Sequence, residues 1–465
     1  MTDEFDAVVA AARERFNPDD AERERLERVV TEVRGRAERA VADLPVEGVD
    51  VVQVGSTARD TWLPDDRDVD LFVRFPPDTD REELERYGLD VGHAVLPEGR
   101  EEYAEHPYVH GEYDGFAVDL VPCYAVADAT GIQSAVDRTP FHTRYLADRI
   151  DADLAGAVRV TKGFLTAIGV YGSDLRTRGF SGYLTELLVV EYGGFRALVE
   201  AAADWHPTVE LDPAGRHVDG TASGSGEGDA ADAQFDGPLV VVDPTDPGRN
   251  VAAVCSAESV ARFQHYAREL LADPRLSLFE PDDPDPLGPA AVREAFADRG
   301  TAPVALRFDA PDLVEDNLYP QLEKSRASLR DALDRRGFDV LRSAVMADGT
   351  AVLLFECEVV ERPTVERHEG PPVGVRNHAD GFYENYEDDD AVYGPFVDGN
   401  RYVVERPREF TTAAGFLDSD AVRDLALGAD VADAVAGAEV LVGETVTTLA
   451  DEFGTEFAAY IDPTP

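Results

Sequence analysis

The sequence predicts a multidomain α+β protein. An N-terminal head is built on a mixed sheet with helices, a helical central domain follows, and a C-terminal α+β body carries a protruding tail. Three observations lead there. The 465 residues exceed what one hydrophobic core serves. The hydrophobic content of 44% is that of ordinary globular domains. Strand-like and helix-like periods alternate over the first 150 or so positions and then give way to helical patterning. The expected boundaries are 1–150 for the head, 151–275 for the central domain, 276–335 and 396–465 for the body, and 336–395 for the tail.

The elements follow from local pattern. Residues 21–44 place apolar side chains three and four apart, as an amphipathic helix does. "VDVVQVG" reads as a short strand, and "STARDTWL" as a helix start on Ser56 stopped by Pro64. "DVDLFVRF" alternates with period two, and "TDREELERYGLDVGHAVL" is helical. "YVHGEY" and "FAVDLVPCYAV" make a hairpin around Asp114-Gly115. Helices fill the stretch from Ala157 to Trp205, and a Gly/Ser/Asp-rich insertion follows from Gly215 to Gly237. "LVVVDPTDPGRNVAAV" supplies a strand and a turn before a helix ending near Leu271, and "EPDDPDPLGP" marks a boundary. Beyond it, "APVALRF", "FDVLRSAVM" and "TAVLLFECEVV" are strands flanking a helix over Leu318–Gly337. The Gly-, Pro- and aromatic-rich stretch from Glu366 to Phe410 reads as an irregular protrusion.

Charge narrows the setting. The formal net charge is -51, with the acids spread along the whole chain. An acidic disordered protein would lack the apolar content seen here. A salt-adapted protein fits better, because concentrated salt screens the self-repulsion. Three separated cysteines, Cys123, Cys255 and Cys357, form no ligand or disulfide pattern and suit a reducing cytoplasm. The acidic, amphipathic N-terminus does not resemble a secretory signal, and no apolar run reaches membrane-spanning length. No membrane partner is expected. The oligomeric state stays open, with a homodimer admitted.

The chemistry-bearing feature is a pair of carboxylates where strands disfavour them. Asp68 and Asp70 are two apart, so they share one face while Val69, Leu71 and Val73 pack the other. Asp119, inside the apolar "FAVDLVPCY", is the natural third acid. Like charges at one place repel, and a hard divalent cation removes that conflict. Three such acids suit two Mg²⁺ ions that align an attacking hydroxyl with a leaving pyrophosphate. An isolated D-x-D more often begins a strand and faces water. Here Gly55-Ser56 precedes it, after a strand, in the arrangement that cradles phosphate.

Together these motifs resemble the nucleotidyltransferase superfamily of DNA polymerase β. "GSTARDTWLPDDRDVDLFVRF", "DLVPCY", "SAVDRTPFHTRYL" and "DPTDPGRNVAA" are more closely similar to the archaeal, class I CCA-adding enzymes. The likeness covers the chain to about residue 275, and the remainder fits in length and organisation. It implies a polymerase-β-like head and template-independent addition and repair of the tRNA 3′-terminal CCA from CTP and ATP, with release of pyrophosphate. Asp68, Asp70 and Asp119 would be both catalytic and metal-binding, with Asp119 helping to deprotonate the tRNA 3′-hydroxyl.

The resemblance also implies a nucleotide site of Gly55, Ser56, Arg59, Thr139, His142, Lys162 and Tyr171. Lys162 stands out independently: the chain has two lysines, and an ordinary surface position would have taken Arg or an acid. A compact ammonium suits a triphosphate. Arg249 falls where the family reads the base, and His106 is placed with tRNA or base recognition. In strong salt, counterion release adds little affinity for RNA. Shape, directed Arg–phosphate bonds and stacking must then carry more of it, and the tail is expected to touch tRNA. The rival readings are a poly(A) or oligoadenylate polymerase on the same head and a non-catalytic RNA-binding protein with a degenerate head. An intact acid triad opposes the latter.

Overall fold

The computed structural model describes residues 2–465 except 65, 207, 216–234 and 282–283. Most of the Gly/Ser/Asp-rich insertion therefore lies outside the described residues. The chain divides into two compact units, Met1–Asp282 and Asp283–Pro465, the division falling in sequence within the acidic, proline-rich boundary segment. Among the described residues, no helix is long and apolar enough to cross a membrane.

The first unit opens with helices α1 (Thr2–Phe16) and α2 (Asp20–Ala42). Asp19 caps α2 through a capping box with Glu22, so the helix starts where its apolar stripe starts. The head sheet comprises β1 (Asp50–Val54), β2 (Asp68–Phe75), β3 (Arg100–Tyr103), β4 (Pro107–Tyr113) and β5 (Phe116–Tyr124), with α3 (Arg81–Val95) between β2 and β3. Its spatial order is β1-β2-β5-β4-β3, with β2 and β5 parallel and the other pairs antiparallel. The β4–β5 hairpin turns at Asp114 and Gly115, both at positive φ (51° and 75°), as a two-residue hairpin turn of matching twist requires. One sheet face packs Val69, Leu71, Val73, Val118 and Leu120 against Val29 and Val33 of α2 and Leu84, Val91 and Val95 of α3. The opposite face carries the carboxylates.

The rest of the first unit is mainly helical: α4 (Thr139–Ala147), α5 (Ala152–Ala167), α6 (Gly182–Tyr192), α7 (Phe195–Ala203) and α8 (Ala257–Ala272). A small parallel pair, β6 (Val209–Leu211) and β7 (Leu239–Val241), lies between α7 and α8. Phe164, Phe180, Leu187, Phe195 and Phe263 lie in one apolar core with residues of α1. Buried Asp137 accepts backbone N–H bonds from Tyr124, Gln133 and Ser134, which fastens the end of β5 to the approach of α4.

The second unit begins with α9 (Pro289–Arg299), β8 (Ala302–Asp309), α10 (Glu315–Arg335), β9 (Val340–Ala347) and β10 (Thr350–Cys357). Next come β11 (Val365–Pro372), α11 (Arg376–Tyr386), β12 (Tyr393–Asp398) and β13 (Arg401–Pro407). Short helices α12 (Ala413–Leu417) and α13 (Ala432–Ala436), strand β14 (Glu439–Val442), and helices α14 (Glu444–Thr447) and α15 (Gly454–Ile461) end the chain. Two sheets result, β14-β8-β10-β9 and β11-β13-β12. The α+β reading of this region holds, with two corrections of detail. Residues 336–395 do not fold as one piece, since β9 and β10 are integral to the four-stranded sheet. The stretch from Glu366 to Phe410 is regular rather than irregular. Gly370 and Pro371, and Gly394 and Pro395, sit where β11 and β12 shift register against β13, so the ladder survives them.

Candidate active site

β2 and β5 run side by side with Asp70 opposite Asp119 and Asp68 opposite Ala117. Residues in register on neighbouring strands share a sheet face, so Asp68, Asp70 and Asp119 stand together. Asp68 is exposed, and Asp70 and Asp119 are partly buried. Although the residue as a whole is exposed, partial desolvation of its carboxyl, then Asp66 and Asp119, lifts Asp68 to a pKa of about 6. Burial, then Asp119 and Asp68, lifts Asp70 to about 7. Burial also raises Asp119, although a hydrogen bond from His110 opposes the rise. His110 faces Asp119 across β4 and β5, with its Nδ1 2.7 Å from Asp119 Oδ1.

Gly55 follows β1 at φ +74°. A Cβ at this position would sit 3.0 Å from Asp70 Cγ and closer still to Oδ2. The turn therefore has to be glycine twice over, for its backbone and for the carboxylate above it. Ser56 then leads into a single 3₁₀ turn, Thr57–Arg59, where the sequence pattern suggested a longer helix. Asp60 in the left-handed region (φ 55°) ends it.

Arg59 reaches α4 and α6. Its Nη2 lies 2.7 Å from Glu186 Oε2, and its Nη1 donates to Thr143 Oγ1 at 3.0 Å. Thr61 also bonds Glu186. The side chains of Arg59 and Glu186 are 6% and 1% exposed, so this is a dry ion pair joining the head turn to α4 and α6. Arg59 Nε also donates to Glu186 Oε2 at 3.0 Å, which leaves two of the five N–H donors of the guanidinium uncommitted.

Lys162 on α5 is 1% exposed, and burial lowers its pKa while the Glu186 and Asp66 carboxylates oppose that. Among the described residues it forms no ion pair. Its neighbourhood is Tyr171 and Gly182: a Cβ at Gly182 would lie 3.2 Å from the Tyr171 hydroxyl and 3.9 Å from Lys162 Nζ. A buried cation of this kind is a standing invitation to an anion.

His142, one residue before Thr143, stacks on Tyr183 with ring centroids 3.8 Å apart and planes at 15°. Its Nε2 meets Asp243 Oδ2 at 2.9 Å, and Arg249 Nη1 donates to that same oxygen at 2.9 Å. Thr139 is the first residue of α4, one turn before His142. His106 stands apart: it is 2% exposed, with Nδ1 3.2 Å from Glu85 and its ring edge-on to Tyr124, toward the other end of β5. Sequence reasoning missed His110, Glu186, Tyr183 and Asp243. Only Asp243 carried a signal, an acid ending the apolar run "LVVVD" before a Pro-rich turn.

The donor set fits hard cations: three carboxylates without thiol or imidazole among them, all raised chiefly by burial, with Asp119 adding to the rise at both Asp68 and Asp70. Asp119 is turned toward His110, and among the described residues no three acid, His or Cys side chains yet enclose an ion.

Three family models match consecutive stretches: a nucleotidyltransferase domain over 35–142, a tRNA nucleotidyltransferase second domain over 156–280, and a CCA-adding enzyme C-terminal domain over 299–443. Relatives match throughout. A CCA-adding enzyme of Haloarcula marismortui is 60% identical over 100% of both chains. One of Halobacterium salinarum is 55% identical, also over 100% of both. One of Methanosarcina barkeri is 39% identical over 91% of each. With such identity sustained through head, helical domain and body alike, the chain belongs to the CCA-adding enzyme family.

Proposed function

We propose that this tRNA nucleotidyltransferase, which adds CCA to tRNA from CTP and ATP, does its chemistry at the face shared by Asp68, Asp70 and Asp119. The observation that carries the reading is the pairing of Asp70 with Asp119 in register above Gly55. The family depends on divalent metal, and the three acids would hold two Mg²⁺ ions. When bound, these supply Lewis-acid stabilisation of the charge that develops at phosphorus and on the leaving pyrophosphate.

The chain's own groups do the rest. The Gly55-Ser56 turn offers backbone N–H groups and a hydroxyl to phosphate oxygens. Lys162 and Tyr171 meet the triphosphate from the α5 side, and the uncommitted donors of Arg59 face it from the turn. Asp119 Oδ2, the oxygen that the His110 bond does not use, would take the proton of the tRNA 3′-hydroxyl. That hydroxyl attacks the α-phosphorus in line, and pyrophosphate leaves. Thr139 and His142 hold the nucleotide's sugar and phosphates, and Arg249 reads the base. A cytoplasmic setting suits these substrates. The test is incubation with tRNA lacking CCA, CTP, ATP and Mg²⁺ in concentrated KCl. The expected product is longer by C, C and A and then stops, whereas a continuing A-tail would mark a poly(A)-type polymerase.

Lys162→Ala is expected to raise the apparent KM for CTP and ATP alike, by about ten- to a hundredfold, the range for a lost charged hydrogen bond. Because the ammonium is buried without an ion-pair partner among the described residues, the variant is expected to fold at least as stably as the parent. Altered tRNA affinity with unchanged nucleotide KM would assign Lys162 to the wrong partner.

A further inference from the structure

We propose that Asp243 is a positioning residue that couples the grip on the incoming nucleotide to the reading of its base, by binding His142 and Arg249 through one carboxylate oxygen. This rests on the assignment of His142 to the nucleotide and Arg249 to the base.

Asp243 follows β7 and has no exposed surface. Its two oxygens have separate duties. Oδ1 accepts from Thr245 N at 2.9 Å, Thr245 Oγ1 at 2.7 Å and the Tyr183 hydroxyl at 3.4 Å. The Thr245 bonds are those of an Asx turn, which any Asp ahead of a Pro-rich loop could make for structural reasons. Oδ2 serves no turn. It is given over to His142 Nε2 and Arg249 Nη1, each at 2.9 Å. The two donors come from different elements, α4 and the loop after β7, and His142 lies 101 residues from Asp243 in sequence. The Asp243 N–H also donates to the Arg249 carbonyl at 2.9 Å, so backbone and side chain of Arg249 are held together.

An ionised carboxylate only accepts, so His142 carries its proton on Nε2 and presents Nδ1 as an acceptor. Tyr183 fixes the ring plane by stacking at 3.8 Å. Arg249 keeps 36% of its side chain exposed, with Nη1 anchored and its other donors available. A guanidinium held at one nitrogen loses less freedom when it meets a base. Because both donors share Oδ2, a shift of either displaces the acceptor of the other.

The test compares kcat/KM for CTP and UTP, on tRNA primers awaiting C, in the parent enzyme, Asp243→Asn, Arg249→Ala and the double variant, with Tm recorded for each. Arg249→Ala is expected to lower the CTP-to-UTP ratio by about tenfold or more, the loss of one charged hydrogen bond. Asp243→Asn is expected to lower it by a comparable factor, and the double variant by no more than Arg249→Ala alone. A falling ratio in Arg249→Ala beside an unchanged one in Asp243→Asn overturns the positioning role. So does an additive loss in the double variant. An unchanged ratio in Arg249→Ala overturns the base-reading assignment beneath it. Should Asp243→Asn fail to fold, Thr245→Val decides. It removes one hydroxyl from Oδ1 and is expected to lower the ratio a few-fold, and an unchanged ratio there overturns the proposal.

Discussion

Asp70→Ala is expected to lower CCA addition by about 10³-fold or more, because the group it removes would hold the ions that offset several kcal/mol of developing charge. Affinity for tRNA is expected to stay within about twofold, since on this reading Asp70 would hold cations rather than the RNA backbone. Stability supplies a readout independent of turnover. Burial and the neighbouring Asp119 and Asp68 raise Asp70 from 3.8 to about 7 in the folded protein. A folded pKa above the unfolded one means that ionising the group opposes folding. In metal-free buffer the Asp70 share of stability is therefore greatest below pH 3.8, declines as pH rises toward about 7, and is constant beyond. Asp70→Asn is expected to flatten that decline and to raise Tm at pH 8. Added Mg²⁺ is expected to raise the parent's Tm at pH 8 more than the variant's. A variant with activity within tenfold of the parent would remove Asp70 from the site, and a Tm unmoved by Mg²⁺ in both proteins would remove the cation.

The legible part of this protein was the part in which residues contradict their local setting. Asp68, Asp70 and Asp119 interrupt strands that are otherwise apolar, and the burial of Val69, Leu71 and Val118 shows that the alternation was read on the right face. Asp114-Gly115 was legible because a two-residue hairpin needs positive φ at both positions. Lys162 was legible by scarcity. The illegible part consists of groups that work only through distant partners. Glu186 looks like one more acid in an apolar helix until Arg59, 127 residues earlier, is folded onto it. Tyr183 acquires a role only when His142 stacks on it. His110 is an ordinary strand residue until the β4–β5 register sets it against Asp119. The misreading of the segment from Glu366 to Phe410 has another cause. Gly and Pro were weighed as strand breakers, but the β11–β13 and β12–β13 ladders place Gly370, Pro371, Gly394 and Pro395 at register shifts where a missing N–H or side chain costs little.

Gly55→Ala, a single added methyl, is expected to reduce kcat by about a hundredfold, the scale on which a displacement near 1 Å at a reacting centre acts. Two separate strains arise. The backbone at φ +74° is left-handed, which costs a residue with a Cβ about 1–2 kcal/mol. The new atom would also fall 3.0 Å from Asp70 Cγ and nearer to Oδ2, so either the turn or the carboxylate must yield. The carboxylate has little room, with Asp119 beside it in register and Asp68 two residues away on the same face. The two strains can be told apart by a double-mutant cycle on stability. In the Asp70→Ala background the clash is absent, so Gly55→Ala there is expected to cost the left-handed share alone, and its cost in the parent is expected to be larger. Equal costs in both backgrounds would mean that the turn, not Asp70, absorbs the methyl. Full kcat in Gly55→Ala would show that the close seating of Asp70 on Gly55 has no part in catalysis. A large difference in cost together with a fall in kcat would tie the first glycine of "GST" to the aim of the carboxylate that follows it fifteen positions later.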